Sequence, residues 1–285
     1  MPRAEDVLRA AEATLKASDA VEHPHQGKER YDAEQILAHV LGVDPDPDQQ
    51  VPDGVLRRFH KLLSRRASGE PPGYITGRED FHGLRLEVGS GAFIPRQSSE
   101  WMVDQAIRRL RGRPHPVHVD LATGVGPVAL AVAAAVPAAR VFGADLFQRP
   151  VALARRNAER LGLTNARFVR GDLFAPLPAS LRGGVDVVTI HPPYIGRTEM
   201  KSLPHEIVGF EPRESLTDDS PEGMGLVSRV AGEACMWLRS GGWLLVEVSP
   251  DRSRAVSAAL RRAGLLDVRS TKGGVSVSRV IVGRA

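Results

Sequence analysis

Two short stretches of the 285-residue chain carry residue types at spacings suited to chemistry. The first, Ala122-Thr123-Gly124-Val125-Gly126, follows Val117–Leu121, which reads as a buried strand. Small residues let a backbone approach a ligand closely, and glycine accepts positive φ. The pattern is that of a strand-to-helix turn that cradles a ligand beyond the carboxyl end of a strand. Nothing matches the third glycine of a Gly-x-Gly-x-x-Gly turn, so the loop suits a ligand without a pyrophosphate. The second stretch, His191-Pro192-Pro193-Tyr194, follows the run Val185–Ile190. Its two prolines fix the backbone, so the Pro192 carbonyl points in a set direction. That carbonyl and an acceptor on His191 would engage the N–H bonds of a planar nitrogen and leave its face open. The Tyr194 ring would stack on the same planar group.

Two carboxylates extend the first stretch. Asp145 lies nineteen residues past Gly126 and ends the run Arg140–Asp145. An acidic residue there can accept both hydroxyls of a ribose, strengthened by its charge. Asp172, in Arg170-Gly171-Asp172-Leu173-Phe174, can accept from an adenine amino group while Leu173 packs on the ring. Each carboxylate also has a plain reading as a cap or turn residue. Standing at the ends of successive strands, they support each other. The ligand they describe is a nucleoside with a methionine-like tail, S-adenosyl-L-methionine, and the chemistry is methyl transfer.

The elements that must hold these residues follow from hydrophobic period. Val7, Leu8, Ala11 and Leu15 fall at helical spacing over 4–19, Ala33–Leu41 forms a second helix closed by Gly42, and 54–68 a third. Between them, 21–30, with His23 and His25, reads as loop. His39 is expected to be an interior histidine. Residues 70–95 are rich in turn residues, and Leu84, Leu86 and Val88 alternate with polar residues. From there the pattern is strand and helix in alternation. Strands are expected at 117–121, 140–145, 166–170, 185–190 and 243–248, and helices at 98–111, 152–158, 222–239 and 251–263. Two final strands, Leu266–Ser270 and Val275–Val282, have no helix between them and must be antiparallel. The fold class is therefore α/β, a Rossmann-like, mostly parallel sheet covered on both faces. It divides into a helical domain over 1–69, a β-hairpin linker over 70–95 and a methyltransferase domain over 96–285.

These residues resemble the HemK/PrmC-type protein-(glutamine-N5) methyltransferases, which modify peptide chain release factors. The similarity covers almost the whole chain. Asp32–Gly42 looks like the family's N-terminal helical segment. Gly69-Glu70-Pro71, Gly77-Arg78-Glu79-Asp80-Phe81 and Phe93-Ile94-Pro95-Arg96 match its linker. Phe210-Glu211-Pro212-Arg213 and Gly241–Glu247 match later landmarks. The resemblance implies a class I, seven-stranded methyltransferase domain behind a helical substrate-recognition domain. It implies cofactor binding by Ala122, Thr123, Gly124, Val125, Gly126, Asp145, Asp172, Leu173 and His191. It also implies that His191, Pro192, Pro193 and Tyr194 hold the substrate glutamine, with His191, Pro192 and Tyr194 catalytic. By default that glutamine lies in a release factor's Gly-Gly-Gln loop.

The departures are specific. The family motif is Asn-Pro-Pro-Tyr, and His191 replaces its asparagine. Ala122 replaces the usual first glycine, a mild change where φ is negative. Pro95-Arg96-Gln97-Ser98-Ser99-Glu100 lacks the second proline of Pro-Arg-Pro-x-Thr-Glu and keeps Glu100. Neutral histidine offers one ring nitrogen as acceptor and the other as donor, whereas protonated histidine offers none. Neutral imidazole can also act as a base, which a hydroxyl or ammonium acceptor needs and a glutamine amide does not need before attack. Two other readings therefore stand beside the first: a diverged methyltransferase with another nitrogen or oxygen acceptor, and an inactive paralogue that binds S-adenosylmethionine.

Composition bounds the rest. Hydrophobic content of 42% and charged content of 25% are those of an ordinary globular protein. The net charge of +4 is spread out, without a basic arm. Arg65-Arg66 and Arg261-Arg262 read as solvated helix faces, so direct nucleic-acid binding is not expected. No apolar run reaches the roughly 20 residues of a membrane span, and the N-terminus lacks an apolar signal core, so a cytoplasmic monomer is expected. The single cysteine, Cys235, excludes an internal disulfide and reads as a small buried hydrophobe. No metal is required.

Overall fold

The computed structural model describes residues 1–22, 27–273 and 277–285. His23, His25 and the expected strand start at Val275 lie outside these. The chain divides into two compact units, 1–78 with 202–211, and 79–201 with 212–285. Among the described residues no helix is long and apolar enough to cross a membrane.

The first unit is helical: α1 (Ala4–Lys16), α2 (Lys28–Leu41), α3 (Asp53–Ala67) and α4 (Pro72–Thr76). The apolar stripes of the first three meet in one core of Val7, Leu8, Leu15, Ile36, Leu37 and Phe59, with Ile75 added from α4. Gly42, at φ 81°, ends α2 in the left-handed conformation that a Cβ disfavours. The short α4 was not expected from its turn-rich sequence. Pro72 starts it, at a position where the missing N–H costs nothing. Two expectations fail here. His39 is exposed, and Arg66 is fully buried instead of lying on a solvated face. Arg66 donates from Nε to Asp32 at 2.7 Å and from Nη2 to Glu206 at 2.9 Å, and Lys28 also reaches Glu206 at 3.1 Å. Burial pushes the Asp32 carboxyl up against the pull of Arg66, while at Glu206 the cost of burial is outweighed by Arg66 and Lys28, which hold it below the usual range.

The second unit opens, one residue into β1 (Arg78–Phe81), with a two-stranded sheet of β1 and β2 (Leu84–Glu87). His82 at φ 47° and Gly83 at φ 74° make the two-residue link a primed hairpin turn. Then come α5 (Glu100–Leu110), β3 (Val117–Leu121), α6 (Pro127–Ala135), β4 (Arg140–Asp145), α7 (Gln148–Arg160), β5 (Ala166–Arg170) and β6 (Val185–Ile190). They are followed by α8 (Gly225–Trp237), β7 (Leu238–Val248), α9 (Ser253–Arg262), β8 (Leu266–Thr271) and β9 (Arg279–Arg284). The seven-stranded sheet runs β5-β4-β3-β6-β7-β9-β8, parallel except for β9, which is antiparallel to β7 and β8. One face packs on α5, α6 and α7 through Met102, Leu110, Leu130 and Val151. The other packs on α8 and α9 through Val230, Trp237, Val256 and Leu260. β7 begins earlier than its sequence suggests. Leu238 pairs with Val185 across a register shift, and Arg239-Ser240-Gly241-Gly242 hides that pairing in the hydrophobic pattern. Cys235 is exposed on α8, not buried.

Strand order is what places the site. From β3 the chain moves outward through β4 to β5, then returns to place β6 on the other side of β3. The connections after β3 and β6 therefore diverge and leave a crevice at this switch point, where open α/β sheets bind ligands. Register sets Leu121 beside Ala144 and Ile190, and Asp145 beside Arg170. Four strand ends thus open at one edge.

Candidate active site

One pocket of about 500 Å³ lies over that edge. Residues 122–125 of the glycine turn, Asp145, Asp172-Leu173 and His191-Pro192-Pro193 all line it. Val125 is among the lining residues and Gly126, just behind, starts α6. Tyr194 is not a lining residue and reaches the pocket through its stack on His191.

The turn after β3 is strained and tightly packed. Gly124 and Gly126 have φ of 56° and 85°, and Ala122 has φ 50°. The replacement of glycine at Ala122 is therefore not the mild change expected of a negative φ; a Cβ in this region costs about 1–2 kcal/mol. A Cβ at Gly143 in β4 would come within 2.6 Å of the Phe168 ring and 2.9 Å of Thr123 Oγ1, so bare backbone lets the turn settle on β4. Gly124 differs: a Cβ there would meet no atom of the described residues within 4 Å.

Asp145 holds this turn. Its Oδ2 accepts from the Gly124 N–H at 2.9 Å, and its Oδ1 accepts from the Phe147 N–H at 3.0 Å. The N-cap of α7 is Phe147, so Asp145 does not serve that helix as its cap. Burial pushes its carboxyl up, with the two backbone donors opposing. Each oxygen keeps lone pairs for further donors. Asp172 is exposed and accepts from Arg229 at 2.6 Å, a pairing that its sequence position does not reveal. Leu173 is buried at φ 49°, its side chain joining the core cluster below.

Beneath the turn lies a residue that motif reading passed over. Asp120 is buried within β3, accepting from Thr123 Oγ1 and Thr189 Oγ1, each at 2.6 Å. His118 Nε2 lies 2.9 Å from Thr189 Oγ1, and because that hydroxyl donates to Asp120, the imidazole must donate to it. Burial pushes His118 down to about 3 and Asp120 up to about 6, the latter against the two hydroxyls and the Ala129 N–H. This chain of polar groups ties β3, β6 and the turn together. Its sequence signal was an acid inside a short strand buried along its whole length.

On the β6 side, His191 is clamped by rings. Tyr194 stacks on it at 5.8 Å and 22°, and Phe93 meets it edge-on at 5.6 Å. Its Nδ1 lies 3.4 Å from Ser99 Oγ and 3.9 Å from Glu247 Oε2. Burial, then the charges of Glu247 and Asp251, push the Tyr194 phenol up to about 12, so it stays protonated. The chain after the motif is pinned by the Ile195 N–H donating to Leu216 and a bridge between Tyr194 and Thr217. A Cβ at Gly223 would run into the Tyr194 carbonyl oxygen, so only glycine fits behind the motif.

The α/β sheet, its switch-point pocket and its antiparallel last strands define a class I S-adenosylmethionine-dependent methyltransferase fold. A crystal structure of a methyltransferase from Pyrococcus furiosus shares it, with a TM-score of 0.53 at 19% identity over 71% of this chain and 89% of that one. Residues 119–208 match a methyltransferase domain model, and residues 6–77 match the PrmC N-terminal domain. The release factor glutamine methyltransferase of Bordetella pertussis is 36% identical, over 89% of this chain and 94% of its own length. That of Vibrio cholerae is 32% identical over 96% of both chains. The chain belongs to the release factor glutamine methyltransferase family.

Proposed function

We propose that this protein transfers a methyl group from S-adenosyl-L-methionine to the side-chain amide nitrogen of a glutamine in a peptide chain release factor, in its Gly-Gly-Gln loop. The observation that carries this reading is the convergence of the glycine turn, two strand-end carboxylates and His191-Pro192-Pro193 on one pocket. It does so in a chain that matches release factor glutamine methyltransferases along 89% of its length. When bound, the cofactor supplies an electrophilic methyl on a sulfonium.

The residues present fit that group. The open space at Gly124 leaves room over the turn, and Asp145, already held by two backbone N–H groups, is pre-set to accept ribose hydroxyls. Asp172 accepts from the adenine amino group, and Leu173 forms the floor under the ring. Ala122, Thr123, Val125 and Gly126 shape the turn around the amino-acid tail. His191 and the Pro192 carbonyl accept the amide N–H bonds, Pro193 stiffens the carbonyl's direction, and Tyr194 backs the imidazole. The helical segment 1–69 recognises the release factor, and the reaction is cytoplasmic.

The test is methyl transfer from labelled S-adenosylmethionine to purified release factor, with wild type and His191→Asn side by side. Labelled glutamine with the wild type supports the reading. Labelling by the Asn variant alone overturns it for this chain and redirects the search to acceptors that need a base.

A further inference from the structure

Glu247 has no part in the family motif at 191–194, yet it is the group that faces it. Its side chain is 1% exposed at the end of β7. Oε1 accepts from Ser98 Oγ at 3.1 Å, while Oε2 is buried with no hydrogen-bond partner among the described residues. A buried carboxylate oxygen without a donor is costly. The imidazole of His191 stands beside it, with Nδ1 at 3.9 Å, just outside hydrogen-bond distance. Phe93 and Tyr194 hold the ring plane, and Nδ1 faces Ser99 and Glu247.

We infer that Glu247 is a positioning residue that holds His191 in its Nδ1–H tautomer, leaving Nε2 as a proton acceptor for the methylated nitrogen. This rests on the glutamine reading above. Among the described residues, the polar neighbours of Nδ1 are the Ser99 hydroxyl and the Glu247 carboxylate. A carboxylate only accepts, and a hydroxyl either donates or accepts. The arrangement that leaves no acceptor facing an acceptor puts the proton on Nδ1. Which nitrogen of an imidazole carries the proton is set by the partner of the other, so the lone pair then belongs to Nε2.

The consequence separates histidine from asparagine. The amide nitrogen forms its new bond to the methyl carbon with its own electron pair. The carbon–sulfur bond breaks, leaving its pair on sulfur. The nitrogen then carries a proton it must shed, and that proton passes to Nε2. The resulting imidazolium bears N–H on both nitrogens, and Glu247 balances its charge. An asparagine amide can accept a hydrogen bond there but does not take up the proton. His191 thus combines the clamp with a base, and Glu247 makes the combination possible.

The test reads the tautomer directly. Long-range ¹H–¹⁵N spectra of the full-length protein at pH 8.5, without acceptor, distinguish the two ring nitrogens; the His191 signals are those lost in His191→Asn. The expected result is an Nδ1–H imidazole in wild type and a shift towards Nε2–H in Glu247→Gln. Methyl transfer to release factor should fall roughly a hundredfold in Glu247→Gln. That loss should shrink clearly in the His191→Asn background, because residues acting as a unit are non-additive. A wild-type His191 protonated on Nε2, or an equal fold-loss in both backgrounds, overturns the proposal. If Glu247→Gln does not fold, the wild-type tautomer decides alone. Absence of any labelled release factor would overturn the glutamine reading separately, since the spectra need no acceptor.

Discussion

The residues that define the pocket hold unfavourable states in place, and each such state makes a prediction. Asp120 titrates near 6 because burial outweighs its three hydrogen bonds. A carboxyl raised in the fold adds stability that is fully present below its ordinary value, 3.8, and is lost as pH rises through 6. Asp120→Asn, which has no charge to bury, should therefore gain on the wild type by about 2 kcal/mol between pH 4.5 and 7.5. Urea unfolding at the two pH values measures this, and a pH-independent difference would show that Asp120 is not buried as a charge. Ala122 stands at φ 50°. Ala122→Gly should stabilise the protein by roughly 0.5–1 kcal/mol, the relief of left-handed strain less the extra freedom of glycine in the unfolded chain. A lower urea midpoint would mean that the alanine methyl packs better than its backbone suggests.

At the scale of elements, hydrophobic pattern locates the central strands well. The runs 117–121, 140–145, 166–170 and 185–190 are buried or half-buried lengths bounded by turn residues, and the structure has them at those positions. Pattern fails where a strand is interrupted or a helix is short. The Gly241-Gly242 shift hides the start of β7, and α4 has too few residues to show a period. The close approach behind the motif is also invisible locally. Gly223, between β6 and α8, leaves the backbone of Tyr194 room it could not otherwise have. Gly223→Ala should displace the 191–194 segment and reduce methyl transfer roughly a hundredfold, the usual cost of about 1 Å of misplacement. Affinity for S-adenosylmethionine should change little, because the turn after β3 and Asp145 are held independently. Calorimetric titration beside the transfer assay separates the two effects; parallel losses in both would refute the division of labour.

For the whole molecule, the decisive contacts join residues far apart in the chain. Arg66 and Glu206 are separated by 140 positions and meet in the helical unit. Removing the guanidinium strands a buried Asp32, so Arg66→Ala should cost about 3–5 kcal/mol and make 202–211 an early site of proteolysis. A loss under about 1 kcal/mol in urea unfolding would show that the pair is not holding that segment. By itself the sequence determined the α/β class, the antiparallel last strands, the glycine turn and the strand-end carboxylates, because each is written in local period, turn chemistry or a contiguous motif. Only the tertiary structure decided that Ala122 is left-handed, that Arg66 is buried, that Asp172 pairs with Arg229, and that Ser99, Phe93 and Glu247 surround His191. These are products of strand order. β6 and β7 are neighbours in the sheet, so the residue after one and the acid near the end of the other come together, and no local pattern records which distant strand end will be adjacent.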